Sequence, residues 1–574
     1  MAGALSALLA LACSATLLSA AEPPRVDPGN EPADLVLRNG VIATCDAENR
    51  QVAALAISGG RIAAVGSQDE IGRWIGPRTR VIDLAGKLAV PGFIEGHGHF
   101  LMLGETRRQL DLTSAKNWGE IVEQVRAAAA KAQPGDWVVG RGWHQEKWDR
   151  PKSEAATYPT HDELSRASPD NPVLLVHASG HMSIANAAAL RAAEVNRDTE
   201  PPPGGEILRN DAGEPTGVLR ETAQGLVRAA YDRRRARRPA ELSDDEKFAT
   251  VSAATRECLV HGVTSFQDAG SSFGDIQLFR RLADADSLKV RMWVMVRGEP
   301  EALRRNLASV RMIDRGNGFL TVRAIKCMAD GALGSHGAWL LQPYADLPGK
   351  SGLAVQPLDR IRETALLALE HDFQLCTHAI GDRANREVLD LYQEMFRGHP
   401  EKKDLRWRIE HAQILHPADI PRFGELGVIA SMQANHATSD APFVVLRLGE
   451  ERARRGAYAW RSLLDAGAKV INGTDVPVEP LSPVLNFHAA VTRQIPDGSR
   501  FFPEQRMTRT AALRSMTIDA AWAAFEEKSK GSLEAGKLAD VVVLSRNILA
   551  VPDDEVPQAE VLTTIVGGKV AYER

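Results

Sequence analysis

Leu88-Ala-Val-Pro-Gly-Phe-Ile-Glu-Gly-His-Gly-His99 is a short apolar run that ends on two histidines one residue apart. Side chains along a strand alternate with period two, so His97 and His99 leave it on the same face and can reach one cation. Gly96 and Gly98 flank His97 and let the backbone approach closely. The same ending recurs along the chain. Leu320-Thr-Val-Arg-Ala-Ile325 runs into Lys326, Gln374-Leu-Cys-Thr377 into His378, a run at 406–409 into His411, and Lys469-Val-Ile-Asn472 into Asp475. Runs at 263–267, 290–296 and 428–432 bring the set to eight, with helical patterns at 244–260, 360–371 and 383–396 between them. Strands alternating with helices predict a parallel sheet, and eight strands predict a (β/α)8 TIM-like barrel whose site lies at the C-terminal strand ends.

His97, His99, His378 and His411 are the imidazole donors that divalent metals accept. Asp475 adds a carboxylate that can bind metal and take a proton from an attacking water. Lys326 is repelled by a cation as an ammonium. Carbamylation by CO₂ would turn it into a carboxylate able to bridge two metals. Cys327 is the rival thiolate ligand, but neighbours on a strand face opposite sides, and Lys326 is preferred.

The 574 residues carry 25% charged and 44% hydrophobic side chains and a formal charge of −5, the profile of a globular protein without bias toward nucleic acid or membrane. A basic run at 233–238 lacks interleaved aromatic residues and reads as a solvated face. Residues 1–21 are apolar, end in Ser19-Ala20-Ala21 before Glu22, and read as an export signal, which predicts a periplasmic or secreted protein with no membrane association after cleavage. Cys13 lies within that segment, and Cys45, Cys258, Cys327 and Cys376 are scattered without a C-x-x-C pair, so neither a zinc ribbon nor a disulfide framework is indicated.

Both ends of the remaining chain consist of short β runs separated by Gly-rich turns, so residues 22–87 and 531–574 are expected to build one composite β-sandwich. Residues 88–530 form the barrel. Within it, 100–240 is far too long for a loop and is expected to fold as an insertion over the barrel mouth. Helices at 119–132 and 184–193 and strands near 137–139 and 173–176 are expected there, with Pro201-Pro-Pro-Gly-Gly205 as a turn.

Several longer motifs carry a resemblance: Pro91-Gly-Phe-Ile-Glu-Gly-His-Gly-His99, Ile325-Lys-Cys-Met-Ala-Asp-Gly-Ala-Leu-Gly334, His378-Ala-Ile-Gly-Asp-Arg-Ala384, Arg408-Ile-Glu-His-Ala412 and Gly473-Thr-Asp-Val-Pro477. Gly140-Arg-Gly-Trp143, His177-Ala-Ser-Gly-His181, Gly213-Glu-Pro-Thr-Gly217 and Ser431-Met-Gln433 add to it. Together they resemble the metal-dependent amidohydrolase superfamily, in particular its amidohydrolase-3 branch of N-substituted formamide deformylase-like and YtcJ-like proteins. The resemblance implies a barrel with a β-sandwich, one or two divalent metals, zinc first among them, and hydrolysis of amide-type C–N bonds. It also implies that His97, His99 and Asp475 hold the more buried metal, His378 and His411 the other, and modified Lys326 the bridge. Glu95 stands where many relatives carry Asp, and His144 where Asp is common. Trp143, His181, Asp382, Arg383 and His436 are the expected substrate-binding residues.

The expected reaction is attack of metal-activated hydroxide on an N-acyl or N-formyl amine, a small-molecule substrate, with Asp475 as the proton carrier. A one-metal deaminase of a heterocycle is the alternative, and a non-catalytic binding or assembly protein on the same fold is a second. A homo-oligomer is compatible with the sequence. No Gly-x-Ser-x-Gly elbow supports a serine nucleophile.

Overall fold

The computed structural model describes residues 31–106, 109–149, 158–236 and 240–574. The export segment and Cys13 lie outside the described residues, as do Arg237 and Arg238 of the basic run. Among the described residues, no helix is long and apolar enough to cross a membrane.

Eight parallel strands follow one another in chain order: Phe93–Gly98, Val263–Ser271, Arg291–Val296, Leu320–Met328, Gln374–Ala379, Arg408–His411, Ile429–Met432 and Val470–Asn472. Each pairs in parallel with the next. The first and last meet without a ladder. Asp475 N donates to His97 O at 2.7 Å, and Thr474 N and Oγ1 donate to the Glu95 carboxylate at 2.6 and 2.8 Å. Glycine makes this approach possible, since a Cβ on Gly96 would stand 2.5 Å from Asn472 O, and one on Gly473 2.4 Å from His97 N. The sequence-predicted barrel is therefore present and nearly closed.

The far end of the barrel is plugged by a short helix, Ile518–Ala523. Its small side chains Ala520, Ala521 and Ala523 pack with Ile94, Ile429 and Ile471 inside the barrel. Its carbonyls accept from barrel side chains: Gln267 Nε2 to Ala520 O at 2.8 Å, and Arg408 Nη2 to Ala523 O at 2.7 Å.

The first predicted strand is in fact two. Leu88–Pro91 pairs with Val541–Leu544 and Val41–Ala43 outside the barrel, and only Phe93–Gly98 belongs to it. The break falls at Gly92, whose N donates to Asp540 O at 2.9 Å and whose Cβ would meet Thr264 Oγ1 at 2.1 Å. Strands from both chain ends thus share one six-stranded sheet, ordered Lys569–Glu573, Val561–Val566, Val541–Leu544, Leu88–Pro91, Val41–Ala43, Gln51–Val52. A four-stranded sheet (Arg61–Gly66, Ala54–Ser58, Leu35–Arg38, Arg80–Asp83) comes from the N-terminal side alone. Leu35, Leu37 and Ile57 of the second sheet pack with Ala89, Val541, Val543 and Ile565 of the first.

The stretch after the first barrel strand contains its own six-stranded sheet. Helix Trp118–Ala129 buries Ile121, Val122 and Val125 against it and is capped by Asn117. The expected helix at 184–193 starts later: Met182–Ala185 is a strand between Val173–His177 and Pro215–Glu221, and only Ala187–Ala192 is helical, opened by Asn186. Ile184 pairs with Leu175 in that sheet, and this tertiary pairing overrides the helical pattern. Cys45, Cys258, Cys327 and Cys376 are buried, unpaired thiols.

Candidate metal centre

At the C-terminal strand ends, ligand atoms of His97, His411 and Asp475 all lie within 4.8 Å of one another. His97 and His99 face the same way, as period two requires, with Nε2 atoms 3.7 and 3.1 Å from Asp475 Oδ1. Lys326 Nζ lies 3.4 Å from His97 Nε2. The His378 ring is centred 4.5 Å from that of His411, which is 4.6 Å from that of His97. All six side chains expected from the sequence converge. Cys327 does not; it packs in the core on the other side of its strand, and burial pushes its thiol up to about 12.

The imidazoles are oriented by partners on their far nitrogens. His97 Nδ1 donates to Glu410 Oε2 at 2.5 Å and His411 Nδ1 to Gln433 Oε1 at 2.7 Å, which turns each Nε2 lone pair toward the site. Burial holds His378 and His411 well below the ordinary histidine range, so both are neutral. Burial opposes the charge on Glu410, yet His97, Lys326 and Arg408 pull its carboxyl down to about 2. The same opposition at Asp475 is overcome by His99, His97 and His411, and it stays ionised. Burial lowers the Lys326 ammonium. Burial pushes Glu95, the carboxylate that joins the first strand to Thr474, up to about 8.

The backbone is strained at three positions of the site. His411, Ala412 and Asp475 adopt φ of +75°, +43° and +56°, a region that costs a non-glycine residue about 1 to 3 kcal/mol. For His411 the reason is geometric. Glu410 already faces the axis, so strict alternation would send His411 outward, and the positive φ turns it back in. Sequence alternation gives no hint of Glu410, Gln433 or this twist.

The donor set fits a cation. His378 Nε2 is buried and makes no hydrogen bond among the described residues, the nearest carboxylate oxygen (Asp330 Oδ1) standing 3.5 Å away. His436 Nε2 is likewise buried without a hydrogen bond, 3.9 Å from Asp475 Oδ2. Both atoms, with neutral imidazoles and an ionised carboxylate, suit zinc or a similar divalent metal.

A narrow cavity lined by His378, His411, His436 and Asp475, about 50 Å³, opens over these atoms. His181 and His436 line it as expected, and so do His144, Leu333 and Phe443. Trp143 does not. It is fully buried in the insertion, its Nε1 donating to Leu175 O at 3.0 Å, and it packs with Trp118 and Trp148. Asp382 and Arg383 are also elsewhere, because they open helix Asp382–Gly398 where the chain has turned away from the axis. Asp382 accepts from Leu341 N at 2.8 Å beside a separate cleft, and Arg383 pairs with Glu387 at 2.9 Å.

A protein of Arabidopsis thaliana, LONG AFTER FAR-RED 3, is 35% identical over 558 residues, covering 95% of this chain and 92% of that one. N-substituted formamide deformylase of Arthrobacter pascens is 29% identical over 551 residues, covering 94% and 98%. The crystal structure of an uncharacterized metal-dependent hydrolase from Pyrococcus furiosus superposes with a TM-score of 0.69 at 28% identity, covering 90% of this chain and 100% of that one. Residues 80–572 match the profile of the amidohydrolase family, and the chain is thereby a member of that family, a metal-dependent hydrolase acting on carbon–nitrogen bonds.

Proposed function

We propose that the chain hydrolyses an amide-type C–N bond in a small N-acyl or N-formyl amine, with His97, His99, His378, His411 and Asp475 holding divalent metal, zinc first among the candidates. The observation that carries this reading is the convergence of His97, His411 and Asp475 at the strand ends, with Lys326 against them. A cation held there would supply a bound water with its pKa lowered to about 7 and a Lewis acid for the carbonyl. The protein's own groups do the rest. Ionised Asp475 takes the proton of the attacking water and passes it to the leaving nitrogen, so the amide gives a carboxylate and an amine. Glu410 and Gln433 keep the imidazoles in one tautomer. His144, His436 and Phe443 close the cavity around the substrate.

Lys326 is proposed as a carbamylated bridge between two metals. Its burial favours the neutral amine, the form that adds CO₂ with loss of a proton. Metal analysis of the purified protein, together with a panel of N-formyl and N-acyl amines, tests the whole reading. Two metals per chain and chelator-sensitive amine release are expected. A Lys326→Ala protein that keeps both metals and full turnover defeats the bridge. The compact His97, His411 and Asp475 set favours one competing reading, a one-metal deaminase of a heterocycle. One metal per chain with ammonia release from a ring would establish that reading instead.

Two further proposals concern the whole chain. The two sheets at the chain ends, which share the core of Leu35, Leu37, Val541 and Val543, are read as one composite sandwich spanning 22–87 and 531–574, of which 22–30 lie outside the described residues. Residues 1–21 are read as a cleaved export signal. N-terminal sequencing of cell fractions tests this, with a periplasmic or secreted protein starting near Glu22 expected.

A further inference from the structure

Of the side chains that the insertion brings to the cavity, the pair His181 and Glu221 stands against His378 of the metal centre. Strands Met182–Ala185 and Pro215–Glu221 are antiparallel with Met182 opposite Arg220, and the next register position sets His181 opposite Glu221. Glu221 N donates to His181 O at 2.8 Å, and His181 Nδ1 donates to Glu221 Oε2 at 2.7 Å. The His181 ring is centred 5.0 Å from the ring of His378, and it lines the cavity. Its Nε2 makes no hydrogen bond among the described residues.

Glu221 is held with unusual care. Its backbone lies at φ +49°, and its side chain is 1% exposed. It fits into the barrel loop that follows Lys326 only because two residues there lack a Cβ. A Cβ on Gly331 would stand 2.0 Å from Glu221 Oε1, and one on Gly337 2.2 Å from the same atom. Neighbouring Arg220 donates to Ser335 O of that loop and to Glu206. The motif glycine at 331, quoted above without a role, thus makes room for a carboxylate from another part of the chain. A purely structural carboxylate would have both oxygens satisfied. Here Oε1 is buried without a hydrogen bond among the described residues, and the other oxygen is spent on an imidazole that faces the cavity.

We propose that Glu221 is a positioning residue that fixes His181, and that His181 Nε2 contacts the polar group of the substrate beside the scissile bond. The insertion thereby completes the active site rather than merely covering it. This rests on the amidohydrolase reading above and deepens it.

The test uses the full-length, metal-loaded protein and its His181→Ala, Glu221→Gln, doubly substituted and Gly337→Ala variants, assayed on the N-formyl and N-acyl amine panel. Each single variant is expected to retain its metal and to lower kcat by about 10- to 100-fold. The double variant is expected to be no worse than His181→Ala, because the two act as a unit. Gly337→Ala, which displaces Glu221 without removing it, is expected to reproduce Glu221→Gln. Unimpaired turnover in Glu221→Gln, or losses that add in full, overturns the proposal. A second measurement is independent of substrate and metal chemistry: the ¹⁵N resonances of the His181 ring, assigned by their loss in His181→Ala. They are expected to report a proton on Nδ1 and to shift in Glu221→Gln, and a ring unmoved by that substitution also overturns the proposal. A parent protein silent on every amine would defeat the amidohydrolase reading, and the resonance result would then decide the positioning role alone.

Discussion

Glu410 accepts the Nδ1 proton of His97 at 2.5 Å, and so decides which ring nitrogen faces the metal site. Replacing it with glutamine keeps the shape and removes the charge. Glu410→Gln is expected to weaken metal affinity by about 10- to 100-fold, read by competition with a chromophoric chelator. Unchanged affinity would mean that packing alone orients His97. At this scale the sequence was informative only where periodicity applies. His97 and His99 share a face because they are two apart, and Lys326 rather than Cys327 faces the axis because they are one apart. Glu410 and His411 are also one apart, yet both face inward, through a positive φ that no pattern of residue types announces. Trp143, Asp382 and Arg383 were placed in the substrate pocket by their motifs, and the structure puts them in packing and helix-start roles instead. Motif membership says that a residue matters to the fold or the reaction, and does not say which.

Among the elements, the seam between the first and last barrel strands is the least redundant. It has no ladder, and Glu95, Thr474 and two glycines hold it. A Cβ at Gly473 would face backbone atoms of His97, which cannot swing aside as a flexible side chain would. Gly473→Ala is therefore expected to destabilise by about 1 to 3 kcal/mol, the usual range for overpacking, and to loosen metal binding with it, since His97 and Asp475 sit on the two sides of the seam. Gly225, inside helix Gln224–Ala236 with open space around it, is the control. Gly225→Ala, in the first turn, is expected to stabilise by about 0.4 to 1 kcal/mol through the unfolded chain. Urea midpoints for the pair check both signs, and equal shifts would show that the seam tolerates a methyl group. Five of the barrel strands are readable because each is a short apolar run ending in a chemically distinctive residue, and the other three because they are apolar runs alternating with helical patterns. The division of 88–98 at Gly92 was not readable, because it depends on where Asp540 and Thr264 lie in space. The helical pattern at 184–193 hides the strand residues Ile184 and Ala185 for the same kind of reason, a partner strand remote in sequence.

Across the whole molecule, the β-rich ends and the barrel are joined by a buried ion pair. Arg291 begins the third barrel strand, and its Nε and Nη2 donate to Asp540 at 2.8 and 3.1 Å, with side chains only 2% and 4% exposed. Gly567 N donates to the same carboxylate at 2.8 Å, and Asp540 O accepts from Gly92 at the point where the chain passes from sheet to barrel. Sequence showed that both ends are β-rich, but not that one aspartate would tie them to the barrel, since the contact spans 249 positions. Burial works against the charge on Asp540, yet Arg291 holds its carboxyl below the usual aspartate range. A carboxyl depressed in the folded state contributes stability that is complete above its unfolded value, about 3.9. That contribution is lost as the pH falls through the lower folded value. Asp540→Asn removes the charge and strands Arg291 in the interior, which is expected to cost about 3 to 5 kcal/mol near neutral pH. The variant has no Asp540 carboxyl to protonate, so its thermal midpoint should fall less steeply than the parent's as the pH drops below about 4. Two midpoint curves running parallel across that window would show that this pair does not contribute to the acid response of the fold.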